Sequence, residues 1–284
     1  MKIQSKYPLL LTLVEKDYLN HHYEDERTSG DVYKALYLQG EEILDDRVVH
    51  WKPLSADAGV DEQGIAWKDA HACWIRRDRQ SFLVTPGSLP QAEELPAGLS
   101  SASGRYQWSV DQGPDQPTRL QQLDRQTGQT AILREYPEST NLDLASDPSS
   151  DRLVWSGPGL NCWNPDLQNF CLLNSGLAGE TSKPVFSPDG KDLAFVLDQQ
   201  VYNLSGGSTY PISGPRSDSY NYRQHPSWSP DGKRLFYVDA HYDIEDDTMK
   251  ESYQWTASTP DGSQRRTLLS RSAVASVKVG PALE

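Results

Sequence analysis

Pro184-Val185-Phe186-Ser187-Pro188-Asp189-Gly190-Lys191-Asp192-Leu193-Ala194-Phe195-Val196 returns 42 residues later as Pro226-Ser227-Trp228-Ser229-Pro230-Asp231-Gly232-Lys233-Arg234-Leu235-Phe236-Tyr237-Val238. A period of about 40 residues is that of a four-stranded propeller blade. Pro184 and Pro226 open a strand, where a missing N–H is tolerated. Phe186 and Trp228 are predicted to face the core between blades. Ser-Pro-Asp-Gly reads as a tight turn, in which proline fixes φ and glycine supplies a positive one. The apolar run after the lysine is the next, buried strand. Asp189, Gly190, Asp231 and Gly232 are therefore read as scaffold rather than chemistry.

Weaker copies lie upstream. Asp147-Pro148-Ser149-Ser150-Asp151-Arg152-Leu153-Val154-Trp155 aligns with the turn and second strand. Ser101-Ala102-Ser103-Gly104-Arg105-Tyr106-Gln107-Trp108 is a fainter copy, and Ile65 to Trp74 fainter still. Inner strands then start near residues 64, 99, 143, 183 and 225. One strand, Ala275–Val279, remains after the fifth copy, and three precede the first: Leu9–Val14, Asp31–Leu38 and Ile43–Val49. Joined, they complete a sixth blade and remove the open edges of an unclosed sheet. The predicted fold is all-β: a six-bladed β-propeller with four antiparallel strands per blade, closed by a C-terminal strand joining N-terminal ones. It is one domain, 1–284. The closing blade takes 1–50 and 272–280, and the internal blades fall near 60–98, 99–140, 141–178, 179–220 and 221–270.

The Pro-x-aromatic-Ser-Pro-Asp-Gly-Lys motif resembles the repeat of the TolB propeller family, over residues 60–270. TolB itself carries a small N-terminal α/β domain for which this chain has no room, so the resemblance implies a propeller-only relative. It also implies export to the bacterial periplasm and use as a protein-binding platform. It does not fix a function, because propellers host binding, hydrolysis and lyase chemistry alike.

The charge is −13 with a sequence pI near 4.9 and a mean hydropathy of −0.68. That balance opposes nucleic-acid phosphates and anionic lipid; it suits a cationic partner, a divalent ion or plain solubility. The apolar run Pro8 to Val14 is too short to span a bilayer and lacks a signal peptide's cleavage context. Leu283-Glu284 reads as the remnant of a C-terminal tag. The expectation is an envelope or periplasmic protein whose export signal was removed ahead of residue 1. Cys162 and Cys171 flank a turn-like stretch and would form a disulfide in an oxidising compartment, or stand as two separate buried thiols. Cys73 reads as core, and no Cys/His spacing suits a metal.

Catalytic signals are sparse. There is no Gly-x-Ser-x-Gly elbow and no phosphate-binding loop. Six histidines are present: His21, His22, His50, His71, His225 and His241. His71 and His225 fall on or beside inner strands, so a sugar-active reading, a uronate-lyase-like enzyme or glycan binder using channel histidines, stands as the alternative to a non-catalytic binder.

Two long segments break the repeat. After Val238, residues 239–251 are read as a loop between second and third strands with six acids and one base. After Val14, residues 15–31 carry six acids and two bases. The candidate partner-binding residues are Tyr23, Glu24, Asp25, Glu26, Tyr220, Tyr222, Tyr242, Asp243, Glu245, Asp246 and Asp247. An acidic, tyrosine-rich rim suits a protein partner with a basic surface, since aromatic anchors supply energy and charge steers encounter. A solvated edge without a partner is the plainer reading. No cofactor is expected; calcium is a third option, because Asp243, Glu245 and Asp247 alternate as carboxylate ligands, although the glycine and terminal glutamate of an EF-hand loop are missing. One specific form of the binder is an immunity or inhibitor protein that plugs a secreted toxin.

Overall fold

The computed structural model describes residues 3–4, 9–15, 32–38, 42–44, 47–48, 52–53, 65–67, 73–77, 80–84, 91–92, 98–112, 116–137, 140–157, 159–173, 179–213, 222–245, 248–271 and 274–279. All regular structure among them is β. In chain order, β1 (Ile3–Gln4), β2 (Leu9–Glu15), β3 (Val32–Leu38), β4 (Glu42–Leu44), β5 (Arg47–Val48) and β6 (Lys52–Pro53) come first. Then follow β7 (Ile65–Trp67), β8 (Cys73–Arg77), β9 (Gln80–Val84) and β10 (Gln91–Ala92). The best-described stretch holds β11 (Leu99–Ser100), β12 (Tyr106–Asp111), β13 (Thr118–Asp124), β14 (Gln129–Tyr136), β15 (Leu144–Ser146), β16 (Leu153–Trp155), β17 (Asn161–Asn164) and β18 (Asn169–Leu172). It continues with β19 (Thr181–Phe186), β20 (Asp192–Leu197), β21 (Gln200–Ser205) and β22 (Ser208–Pro211). Last come β23 (Tyr222–Trp228), β24 (Leu235–Glu245), β25 (Thr248–Ser258), β26 (Arg265–Arg271) and β27 (Val274–Val279).

These strands pair into six four-stranded antiparallel sheets among the described residues. Five are simple meanders, from β7–β10 to β23–β26. The sixth runs β27-β2-β3-β6, so the last strand pairs with the first long one, Leu9 opposite Val279. Its fourth strand departs from the sequence reading. Lys52–Pro53, rather than Ile43–Val49, pairs with β3. The 42–48 segment turns back between Leu44 and Arg47 and pairs with Ile3–Gln4 in a separate three-stranded sheet. Pairing between strands this short is invisible to a reading built on apolar runs.

The chain forms two compact units. One comprises residues 1–95, 216–258 and 264–284, and includes the β27-β2-β3-β6, β7–β10 and β23–β26 sheets. The other comprises residues 96–215 and 259–263, with the three sheets from β11 to β22.

In the second unit the core follows from the two-residue period of a strand, which sends alternate side chains to opposite faces. Leu153, Trp155 and Trp163 pack with Tyr106, Trp108 and Leu120 of the β11–β14 sheet. Val154 and Cys162, one position out of phase, pack with Phe186, Leu193, Phe195 and Leu197 of the β19–β22 sheet. A single sheet thus supplies two cores, one on each face. Phe186 is 8% exposed, as the motif reading required. Full burial of such a side chain contributes about 1.5–3 kcal/mol.

The turns hold the motif's chemistry. The Ser187 hydroxyl donates to Asp189 Oδ1 at 2.7 Å and accepts the Asp192 N–H at 2.9 Å, while the Gly190 N–H closes on the Ser187 carbonyl at 2.9 Å. Ser229, Asp231, Gly232 and Arg234 repeat every one of these bonds. The degenerate copy reverses the roles. There Asp147 occupies the serine position and accepts from the Ser149 N–H at 2.8 Å and the Ser149 hydroxyl at 2.7 Å. Asp147 is 2% exposed and also pairs with Arg152 at 2.8 Å. The faintest copy has hydroxyls at both positions, Ser101 and Ser103, 3.3 Å apart. It takes its carboxylate from the next sheet: Asp151 accepts the Ser103 N–H at 2.9 Å and the Ser103 hydroxyl at 2.6 Å.

Candidate functional site

The acidic segment after Val238 is not a loop. β24 and β25 stay in register from Leu235 opposite Ser258 out to Glu245 opposite Thr248. The flanking strands stop earlier: β23 ends its pairing with Tyr222 opposite Ala240, and β26 with Arg271 opposite Tyr253. Five further pairs, His241/Ser252, Tyr242/Glu251, Asp243/Lys250, Ile244/Met249 and Glu245/Thr248, therefore form a two-stranded ribbon whose outer edges are unpaired among the described residues. The cause is in the sequence. Ala240, Tyr242 and Ile244 alternate with His241, Asp243 and Glu245, which is strand periodicity. Counting charges rather than period hid it.

The ribbon brings four of the sequence-predicted residues to one end of one sheet. Asp243 and Glu245 take alternate positions on β24, Tyr242 lies between Ala240 and Ile244, and Tyr222 stands opposite Ala240. Tyr23, Glu24, Asp25, Glu26, Tyr220, Asp246 and Asp247 lie outside the described residues, and so does His71. With Asp247 among them, the spacing read for calcium is not described as a whole.

His225 sits at a backbone irregularity with φ 57°. The register between β23 and β24 shifts there, between Gln224 and Ser227. Lys183, at the same place in the preceding repeat, has φ 51° and the same register shift, between Ser182 and Val185. A left-handed residue ahead of the motif proline is thus a property of the repeat, and the strain at His225 belongs to the scaffold before it belongs to any chemistry. Lys183 is fixed by Asp143, whose carboxylate accepts the Lys183 N–H at 3.1 Å and its ammonium at 2.9 Å. Neither residue was singled out by sequence. Their common signal is position, each standing four residues before the turn's first polar side chain.

The electrostatics of the turns also identify scaffold. The Ser187 hydroxyl, then Lys191, hold the Asp189 carboxyl down to about 2. Thr259, then Ser263, do the same for Asp261, also about 2. Burial works against Asp231, yet the Ser229 hydroxyl and the Lys233 N–H bring it below the usual carboxylate range. All three acids sit in Pro-Asp-Gly turns. The third of these, Thr259-Pro260-Asp261-Gly262-Ser263, was missed, although its sequence repeats the motif. It packs within the second unit, where Asn203 Nδ2 donates to the Pro260 carbonyl at 3.0 Å.

Cys162 and Cys171 stand opposite each other in β17 and β18, with Cα atoms 5.1 Å apart and the two sulfurs bonded. Among the described residues, no three His, Cys, Asp or Glu side chains come together as metal ligands would. No helix among them is long and apolar enough to cross a membrane.

No protein-family model and no curated protein sequence matches the chain. Solved structures do. A structure from Agrobacterium tumefaciens assigned to TolB matches with a TM-score of 0.54 at 16% identity, covering 77% of this chain and 90% of that one. A chain of a nidogen/laminin complex matches with a TM-score of 0.55 at 13% identity, covering 97% and 98%. An oligogalacturonate lyase in complex with manganese aligns over 82% of this chain and 70% of its own at 13% identity, but its TM-score of 0.47 carries no argument about chemistry. The first two likenesses carry the fold and nothing finer: this chain folds as a TolB-like β-propeller.

Proposed function

We propose that this chain is a non-catalytic, protein-binding propeller of the bacterial envelope that receives a basic protein surface at its acidic ribbon. The reading takes the β27–β2 pairing, with Leu9 opposite Val279, as the closure of a six-bladed ring. The observation that carries the reading is the ribbon itself. Within the stretch 239–251, which holds six acids and one base, residues 241–245 pair with 248–252 beyond the end of their own sheet. A stiff ribbon presents charge with less ordering cost on binding than a loop of equal length. The concentration of acids on it raises encounter rates with a cationic surface. The scaffold assignment of the Pro-Asp-Gly acids and of the His225 bulge leaves the ribbon as the feature in search of a purpose. Inhibition of a secreted toxin is one form this binding could take.

The test compares envelope proteins retained by the wild-type chain and by an Asp243→Asn, Glu245→Gln, Asp246→Asn, Asp247→Asn variant. The expected result is a basic partner held by the wild type, released as salt rises, and lost by the variant. Equal recovery by both proteins sinks the proposal.

A further inference from the structure

Five large apolar side chains are well exposed among the described residues, and three of them share one hairpin: Leu167 at 69%, Phe170 at 49% and Leu172 at 50%. The hairpin is firmly built. Asn164 Oδ1 accepts the N–H groups of Asp166 and Leu167 at 3.0 and 3.2 Å, Gln168 takes φ 49°, and the Cys162–Cys171 bridge ties the two strands. Phe170 lies 4.4 Å from the Trp163 ring, so the exposed residues rest on an ordered base.

β18 is the outer strand of its sheet, and its outward edge is unpaired among the described residues. Open edges invite pairing with another chain, and proteins usually blunt them with charge or proline. The neighbouring outer strands are blunted in that way. β14 carries Arg134 and Glu135, the latter accepting from Arg119 at 2.6 Å, and β22 ends in Pro211. β18 reads Asn169-Phe170-Cys171-Leu172, with neither.

The charge of the chain selects the occupant. At −13, two copies repel over most of their surface, yet residues 159–173 hold one acid, Asp166, and no base. A basic partner finds no complement on this hairpin, whereas a second acidic copy meets least repulsion there. We propose that the β18 edge is an interface between two copies of this chain, their outer strands pairing antiparallel about a two-fold axis. Phe170 and Leu172 are two positions apart and share a face. A register with Phe170 opposite the second copy's Leu172 joins these residues into one apolar strip across the pair, and the same patch serves both copies. Four residues of strand with three side chains bury far less than the roughly 800 Å² per partner of a stable complex, so the dimer is weak, with a Kd on the order of 100 µM.

Sedimentation velocity from about 5 µM to about 500 µM, at about 0.05 M and about 0.5 M salt, tests this. The expected result is a monomer–dimer equilibrium that tightens several-fold at high salt, because screening relieves repulsion between the copies. Leu167→Glu with Leu172→Glu should abolish it while the thermal melt stays near wild type. Leu167→Glu alone, at the most exposed site, serves if the pair disturbs the hairpin. A monomer at every concentration and salt overturns the proposal. So does association that survives these variants or loosens with salt. Neither outcome touches the ribbon, whose own variant, with four acids fewer, should keep the dimer and tighten it in low salt.

Discussion

Gln122 gives the sharpest quantitative test of how the sheets are joined. Its Oε1 accepts the indole N–H of Trp108 at 3.1 Å and that of Trp163, from the next sheet, at 2.8 Å. Those indoles are 0% and 9% exposed. Gln122→Leu keeps the volume and removes the acceptor that both bonds share. A buried donor left without a partner costs about 1–3 kcal/mol. Trp108, with no solvent access, should bear the upper part of that range, and Trp163, at the margin, the lower part, which sums to roughly 2–4 kcal/mol. For a chain of this size each kcal/mol moves Tm by about 2–4 °C, so the variant should melt roughly 4–16 °C lower in calorimetry. Gln122→Glu, which retains an oxygen acceptor, should lose much less at neutral pH. In a Trp163→Phe background one donor is already gone, so Gln122→Leu should cost about 1–2 kcal/mol less there. A Gln122→Leu melt within about 2 °C of wild type, or no coupling to Trp163, refutes the reasoning.

Further outcomes follow from other parts of the second unit. Gly190 and Gly128 have nearly equal φ, 71° and 72°, but a Cβ at Gly190 would collide with Ser149 and Asp147 while one at Gly128 meets nothing within 4 Å. Gly190→Ala should therefore lower stability in urea titration by about 1–3 kcal/mol more than Gly128→Ala, and equal losses would remove the contact argument. Asp189 and Asp261 titrate near 2 in the folded chain, below the ordinary 3.8. Their contribution is present above the unfolded value and fades as pH falls from about 4 towards 2, so Asp189→Asn should flatten that limb of a stability–pH profile. Intact mass under non-reducing conditions should show Cys162 and Cys171 without free thiols, and Cys171→Ser should cost about 2–3 kcal/mol on loop-closure grounds.

The repeat was legible because its turns need particular residues. Pro188 and Gly190 fix backbone angles that few other residues adopt, so Ser-Pro-Asp-Gly survives as text. The buried second strand was legible too, since Leu193 to Leu197 form an uninterrupted apolar run. Features set by long-range pairing were not. The swap of β6 for residues 43–49 depends on which short segments find each other across the chain. The ribbon was misread for a different reason: its alternation was in plain view, but Asp243, Glu245 and Lys250 were weighed as charge and not as period. The shared acceptor at Gln122 leaves no local trace, because its donors lie 14 and 41 residues away.

The three turn variants of the second unit have a consequence for how such chains diverge. Serine followed by aspartate, aspartate followed by serine, and serine followed by serine all close the same reversal, the last with Asp151 lent by its neighbour. A lineage can thus exchange donor and acceptor in two single steps, passing through an all-hydroxyl intermediate that an adjoining repeat keeps folded. Erosion of the written motif is then no measure of erosion of the blade. Kinship among propellers would be traced further by aligning who gives and who receives each proton than by aligning letters.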